Sequence, residues 1–137
     1  MTSPSEHEVQ STIIDLIRVR GGVATRVNSG SMIAKSGDRS YRVSLADKGT
    51  SDIIALYKGV YLAIEVKGTK GKPTPEQIAF LESVARAGGV GLLAYDVDYV
   101  DTVMIAIEES PFTPLTLAQS LAWLKRPPNQ IFIGDIQ

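Results

Sequence analysis

A chain of 137 residues with 44% hydrophobic and 21% charged residues can bury a sizeable core, and this composition excludes wholesale disorder. The absence of cysteine excludes disulfides and thiolate metal sites, and a net charge of −1 excludes a surface coated throughout by nucleic acid. No apolar run is long enough for a transmembrane helix, and the first residues, MTSPSEHE, lack the basic and apolar regions of a signal peptide, so a cytoplasmic protein is expected.

In chain order, Ser5 to Arg20 predicts an amphipathic helix, because Val9, Ile13, Leu16 and Ile17 recur at helical spacing before Gly21-Gly22. A strand follows over Val23 to Asn28, then a polar hairpin over Ser31 to Leu45 that turns at Ser36-Gly37-Asp38. Asp52 to Tyr57 and Val60 to Val66 read as two strands joined at Lys58-Gly59. Thr74 caps a second helix over Pro75 to Ala87, with proline in its first turn and Gly88-Gly89 at its end. Val90 to Tyr95 is a short apolar strand; Tyr99 to Ile107 and Leu115 to Lys125 are helical, and IFIGDIQ supplies an edge strand or packs on a partner. The order α-β-β-β-α-β, with an inserted hairpin and appended helices, predicts an α/β fold with a mixed sheet. One domain over residues 1–137 is expected, with its core over about 5–96 and an extension over 97–137.

The even net charge hides an asymmetry. Between Arg18 and Lys72 there are eleven Lys/Arg against four Asp/Glu, whereas the segments on either side are acidic. Such a division can place a positive face on a neutral protein.

The strand pair carries the chemistry. With Lys58-Gly59 as a two-residue loop, Tyr57 faces Val60, and the same register sets Asp52 opposite Glu65. Lys67, two residues on, shares the face of Glu65. Two facing carboxylates about 5 Å apart repel by roughly 3 kcal/mol at an effective dielectric near 20. A fold tolerates them when one is protonated or a cation sits between them; an oxygen donor set suits Mg²⁺ or Mn²⁺. A structural ion pair of Lys67 with Glu65 is the simpler alternative. A third carboxylate lies on the first helix, where the wheel places Glu6 on the stripe of Val9 and Ile13 and turns Glu8 away.

Together these residues resemble the VRR-NUC (virus-type replication-repair nuclease) family of the PD-(D/E)XK superfamily. The resemblance runs through Glu6 in SEHEVQ, the RVNSG strand end, Asp52 in GTSDI, Glu65 and Lys67 in EVK, and Gln77 in GKPTPEQ, over residues 5–96. Ser51 stands where the superfamily carries a leading proline. The resemblance implies a restriction-endonuclease-like αβββαβ core and metal-dependent cleavage of DNA. Asp52, Glu65 and the Val66 carbonyl would hold Mg²⁺ or Mn²⁺, with Glu6 assisting. Lys67 would orient the attacking water or stabilise the transition state, and Gln77 would position Lys67 or touch phosphate. Lys70 and Lys72 in GTKGKPT are backbone-phosphate contacts; the spacing of Gly68 and Gly71 does not match a P-loop. Arg26, Asn28, Ser29, Lys35, Arg39 and Arg42 extend this DNA-binding track. The substrate implied is branched DNA such as a Holliday junction, cut by a homodimer in a bacterial or phage-infected cell. Restriction-type or flap cleavage and a catalytically silent DNA-binding module are the alternatives.

Overall fold

In a computed structural model of the chain, which describes residues 3–27, 31–44, 46–109 and 131–132, helix α1 runs over Glu6–Val19. Its start is written in Ser5-x-x-Glu8: the Ser5 hydroxyl accepts from the Glu8 amide while the Glu8 carboxylate accepts from the Ser5 amide. Replacing Ser5 with Ala should therefore cost about 1 kcal/mol, measured by denaturant unfolding.

Strand β1 (Val23–Arg26) pairs antiparallel with β4 (Ile53–Tyr57), which pairs antiparallel with β5 (Val60–Val66). Lys58 and Gly59 both take positive φ, at 50° and 79°, the geometry of a two-residue turn whose twist matches its strands. Tyr57 pairs with Val60 as expected, and the ladder runs to Ile53 and Ile64. Helix α2 (Pro75–Arg86), capped by Thr74, carries the chain over to β6 (Val90–Ala94), parallel to β5. Gln77 completes a second reciprocal cap, its side chain accepting from the Thr74 amide at 2.8 Å.

Helix α3 (Val97–Glu109) begins two residues before the apolar periodicity does, because the Asp96 carboxylate accepts from the Tyr99 amide at 2.9 Å and caps it. Its β-branched residues do not interrupt the helix: Val100, Val103 and Ile107 are buried in the core, where packing outweighs intrinsic propensity. Beyond it, the expected helix over 115–125 lies outside the described residues. Part of the tail does form an edge strand, β7 (Ile131–Phe132), antiparallel to β6. The sheet order is thus β1-β4-β5-β6-β7. The inserted hairpin, β2 (Ser31–Ser36) and β3 (Arg39–Ser44), makes a separate two-stranded sheet.

Strand alternation sorts the side chains into two cores. Ile53, Tyr57, Leu62, Ile64 and Val66 face α1 and α3, together with Ile13, Ile17, Val103 and Met104. Ala63 and Leu93, on the opposite face, meet Leu81 and Val84 of α2. Full burial of each such Ile or Leu contributes about 1.5–3 kcal/mol. Beyond β4's turn end, Tyr57 hydrogen-bonds Glu108 and Arg20 pairs with Asp101, tying α1 and α3 together at the end of the sheet away from Asp52. Among the described residues, no helix is long and apolar enough to cross a membrane.

Candidate active site

The alternation that buries Ile53 and Ile64 toward α1 turns Asp52 and Glu65 toward α2. Asp52 lies one residue before the last ladder pair of β4. Its carbonyl accepts from the Val27 amide at 2.8 Å, which holds it against the extension of β1. Its side-chain Oδ2 accepts from the Val66 amide, also at 2.8 Å, which turns the carboxylate inward over β5. Ser51, directly before it, is buried, and its hydroxyl donates to the Ile53 carbonyl at 3.1 Å.

Glu65 is only 1% exposed, an expensive place for a carboxylate. Its Oε1 accepts from the Gln77 side-chain amide at 3.2 Å, whereas Oε2 is buried with no hydrogen-bond partner. Burial, reinforced by the neighbouring Asp52 carboxylate, pushes the Glu65 carboxyl up to about 8; the Lys67 ammonium pulls it the other way. Lys67 is half-buried, and its amide donates to the Ala94 carbonyl at 3.0 Å, extending the β5–β6 pairing by one residue.

Gln77 therefore positions Glu65, and one side chain does two jobs: its oxygen completes the α2 cap and its nitrogen holds the carboxylate. Sequence reasoning gave Gln77 to Lys67 or to phosphate. The capping signature Thr-x-x-Gln was legible, but which side chain its amide would meet depends on how α2 lies across β5.

The two glutamates of α1 differ in use. Glu8 is engaged in the cap with Ser5, and those hydrogen bonds hold its carboxyl below the usual range. Glu6 is exposed, and from the opposite layer it reaches past the end of the sheet to accept from the Gly68 amide at 3.3 Å, next to Lys67. Among the described residues no three Asp, Glu, His or Cys side chains converge as a ready ligand cluster, but the Glu6 carboxylate is near enough to Glu65 to help raise its carboxyl, after burial and Asp52.

The basic residues divide as well. Lys35, Arg39, Arg42, Lys70 and Lys72 are exposed. Arg26 is drawn onto α1, its Nε donating to the Gln10 side-chain oxygen and its Nη2 to the Ser11 hydroxyl, both at 3.0 Å. Asn28 and Ser29 lie outside the described residues. One contact that sequence reasoning missed sits under the basic loop: the Tyr95 hydroxyl donates to the Gly71 carbonyl at 2.8 Å and holds the segment carrying Lys70 and Lys72 against β6. Tyr95 gave no signal beyond an aromatic at a strand end.

The residues present fit a hard divalent cation. An orphaned, buried carboxylate oxygen lies beside a second carboxylate, all donors are oxygen, and a positive charge between them would relieve the repulsion that raises Glu65.

No protein-family model and no curated protein sequence matches the chain. Among solved structures, one described as a "VRR_NUC domain" superposes with a TM-score of 0.52 at 22% identity, covering 78% of this chain and 98% of its own. The chain thus has the restriction-endonuclease-like fold of that domain: a mixed central sheet between helical layers, with its α2 crossover beside the carboxylates.

Proposed function

We propose that this chain is a metal-dependent endodeoxyribonuclease of the VRR-NUC type, acting on branched DNA. The observation that carries the reading is the buried Glu65 carboxyl, set beside the Asp52 carboxylate and the Lys67 ammonium.

Asp52, Glu65 and the Val66 carbonyl would hold Mg²⁺ or Mn²⁺. When bound, the ion supplies a Lewis-acidic centre that activates water and neutralises charge on the scissile phosphate. Gln77 fixes the rotamer of Glu65 through Oε1 and leaves Oε2 for the ion. Asp52 is prevented from turning away by the Val66 amide. Lys67, whose ammonium lies near enough to Glu65 to oppose the rise of its carboxyl, orients the attacking water and stabilises negative charge as the phosphate is attacked. Lys70 and Lys72 would engage backbone phosphates of the same substrate, which gives affinity without sequence preference. Resolving a four-way junction takes two cuts, and a symmetric homodimer would supply the second site.

Incubating the protein with labelled four-way junction, flap and linear duplex DNA tests the reading. Cleavage of the junction is expected with Mg²⁺ or Mn²⁺ and none with EDTA. Cutting confined to linear duplex would favour a restriction-type enzyme. Metal-independent binding with no cutting of any substrate would reduce the chain to a DNA-binding module.

A further inference from the structure

The β2–β3 hairpin is not needed to connect its neighbours, since Arg26 and Ile53 already pair across β1 and β4. It springs from the end of the sheet that carries Asp52, and among the described residues it makes no extensive packing with another element beyond its own pairing. It nevertheless displays three large apolar side chains to solvent: Met32 at 52%, Ile33 at 58% and Tyr41 at 51% exposure. A free hairpin gains nothing in stability from such exposure.

The register assigns the two faces. Ala34 pairs with Tyr41 and Ser36 with Arg39, so Tyr41 and Arg39 share a face with Met32, which lies diagonal to Tyr41 within side-chain reach. Ile33 pairs with Arg42 and Lys35 with Ser40, which puts the other two cations on the reverse face. Three basic residues against Asp38 alone give the arm a positive charge. An aromatic flanked by a flexible apolar side chain, with one cation on its own face and two on the reverse, is a surface on which unpaired bases can stack while phosphates are held. A second copy of the chain is a poorer occupant. The three apolar side chains together offer roughly 300 Å², well under the ~800 Å² per partner of a stable interface.

We infer that the hairpin is a base-stacking arm: the Tyr41–Met32 face takes unpaired nucleotides, and Lys35 and Arg42 on the reverse face hold phosphates. This rests on the nuclease reading and deepens it, because it gives a physical reason to prefer DNA with an unpaired segment over continuous duplex. Tyr41 and Met32 are specificity residues and not catalytic ones.

The test is fluorescence anisotropy of the intact protein in EDTA, on a duplex carrying an internal unpaired stretch and on a fully paired duplex of the same length. The native chain is expected to prefer the former. Tyr41→Ala should weaken binding to it about tenfold and change binding to the paired duplex less than twofold, whereas Tyr41→Phe should keep the preference. Lys35→Ala with Arg42→Ala should weaken both and flatten the salt dependence. Equal loss on both DNAs from Tyr41→Ala, or no loss on either, would overturn the arm; so would a change in oligomeric state of the DNA-free variant, which would make a second copy the occupant. Binding does not require cutting, so the two readings fail separately. Discrimination without Mg²⁺-dependent cleavage sinks the nuclease, and cleavage indifferent to Tyr41 sinks the arm.

Discussion

Replacing Glu65 with Gln should lower metal-dependent cleavage on the order of a thousandfold while making the metal-free protein more stable at neutral pH. The first effect follows from the loss of an anionic oxygen at a buried position beside the Asp52 carboxylate. The second follows from linkage. The Glu65 carboxyl lies near 8 in the fold against an ordinary 4.5, so between those values the folded chain binds the proton and the unfolded chain does not. Stability is fully present below about pH 4.5 and is lost as pH rises toward 8, with a slope of up to about 1 kcal/mol per pH unit. The Gln variant has no such proton to bind, and its melting temperature in EDTA should vary less over that range. Thermal melts from pH 4.5 to 8.5, read beside single-turnover cleavage, check both halves. A native protein whose metal-free stability rises over this interval would show that Glu65 is not held against its charge.

Gly91→Ala should destabilise the protein by about 2–3 kcal/mol, the cost of overpacking at a site that cannot relax. A Cβ at position 91 would stand 2.7 Å from the Leu81 carbonyl oxygen and 3.0 Å from its Cβ, so α2 itself would have to lift from β6. For a domain of this size that is a fall in melting temperature of roughly 10 °C. Lifting α2 also draws Gln77 away from Glu65, so cleavage should fall even at temperatures where the variant is fully folded. Calorimetry together with rates well below the transition separates the two effects. A variant as stable as the native chain would mean that α2 can slide without penalty.

Local chemistry was legible in the sequence wherever one residue's neighbours are fixed by spacing. Lys58-Gly59 determined the β4–β5 register and with it the meeting of Asp52 and Glu65. Thr74 and Pro75 marked the start of the second helix, whereas the reciprocal cap of Ser5 and Glu8, which explains why Glu8 is unavailable to the site, emerged only from the structure. What could not be read depends on layers meeting. The Gln77 amide finds Glu65 only because α2 crosses β5 at a particular height, and Glu6 arrives at Gly68 from the other side of the sheet. Arg26 looks in sequence like one more member of a basic track, yet Gln10 and Ser11 of α1 take its donors. The basic stretch from Arg18 to Lys72 is likewise dispersed: Arg20 goes to Asp101 and Lys48 to Glu76, while the hairpin and the GTKGK loop carry exposed cations with no ion pair among the described residues. Tyr95 shows the same limit, since its bond to Gly71 spans 24 residues of chain.

The direct pairing of β1 with β4 has an evolutionary corollary. Whatever lies between those strands can lengthen, shorten or be traded for another module without disturbing the ladder that aligns Asp52 with Glu65. On the proposed function, selection can thus retune which nucleic acids are admitted while the carboxylate pair stays constant, and a grafted insert is a rational starting point for redirecting the protein.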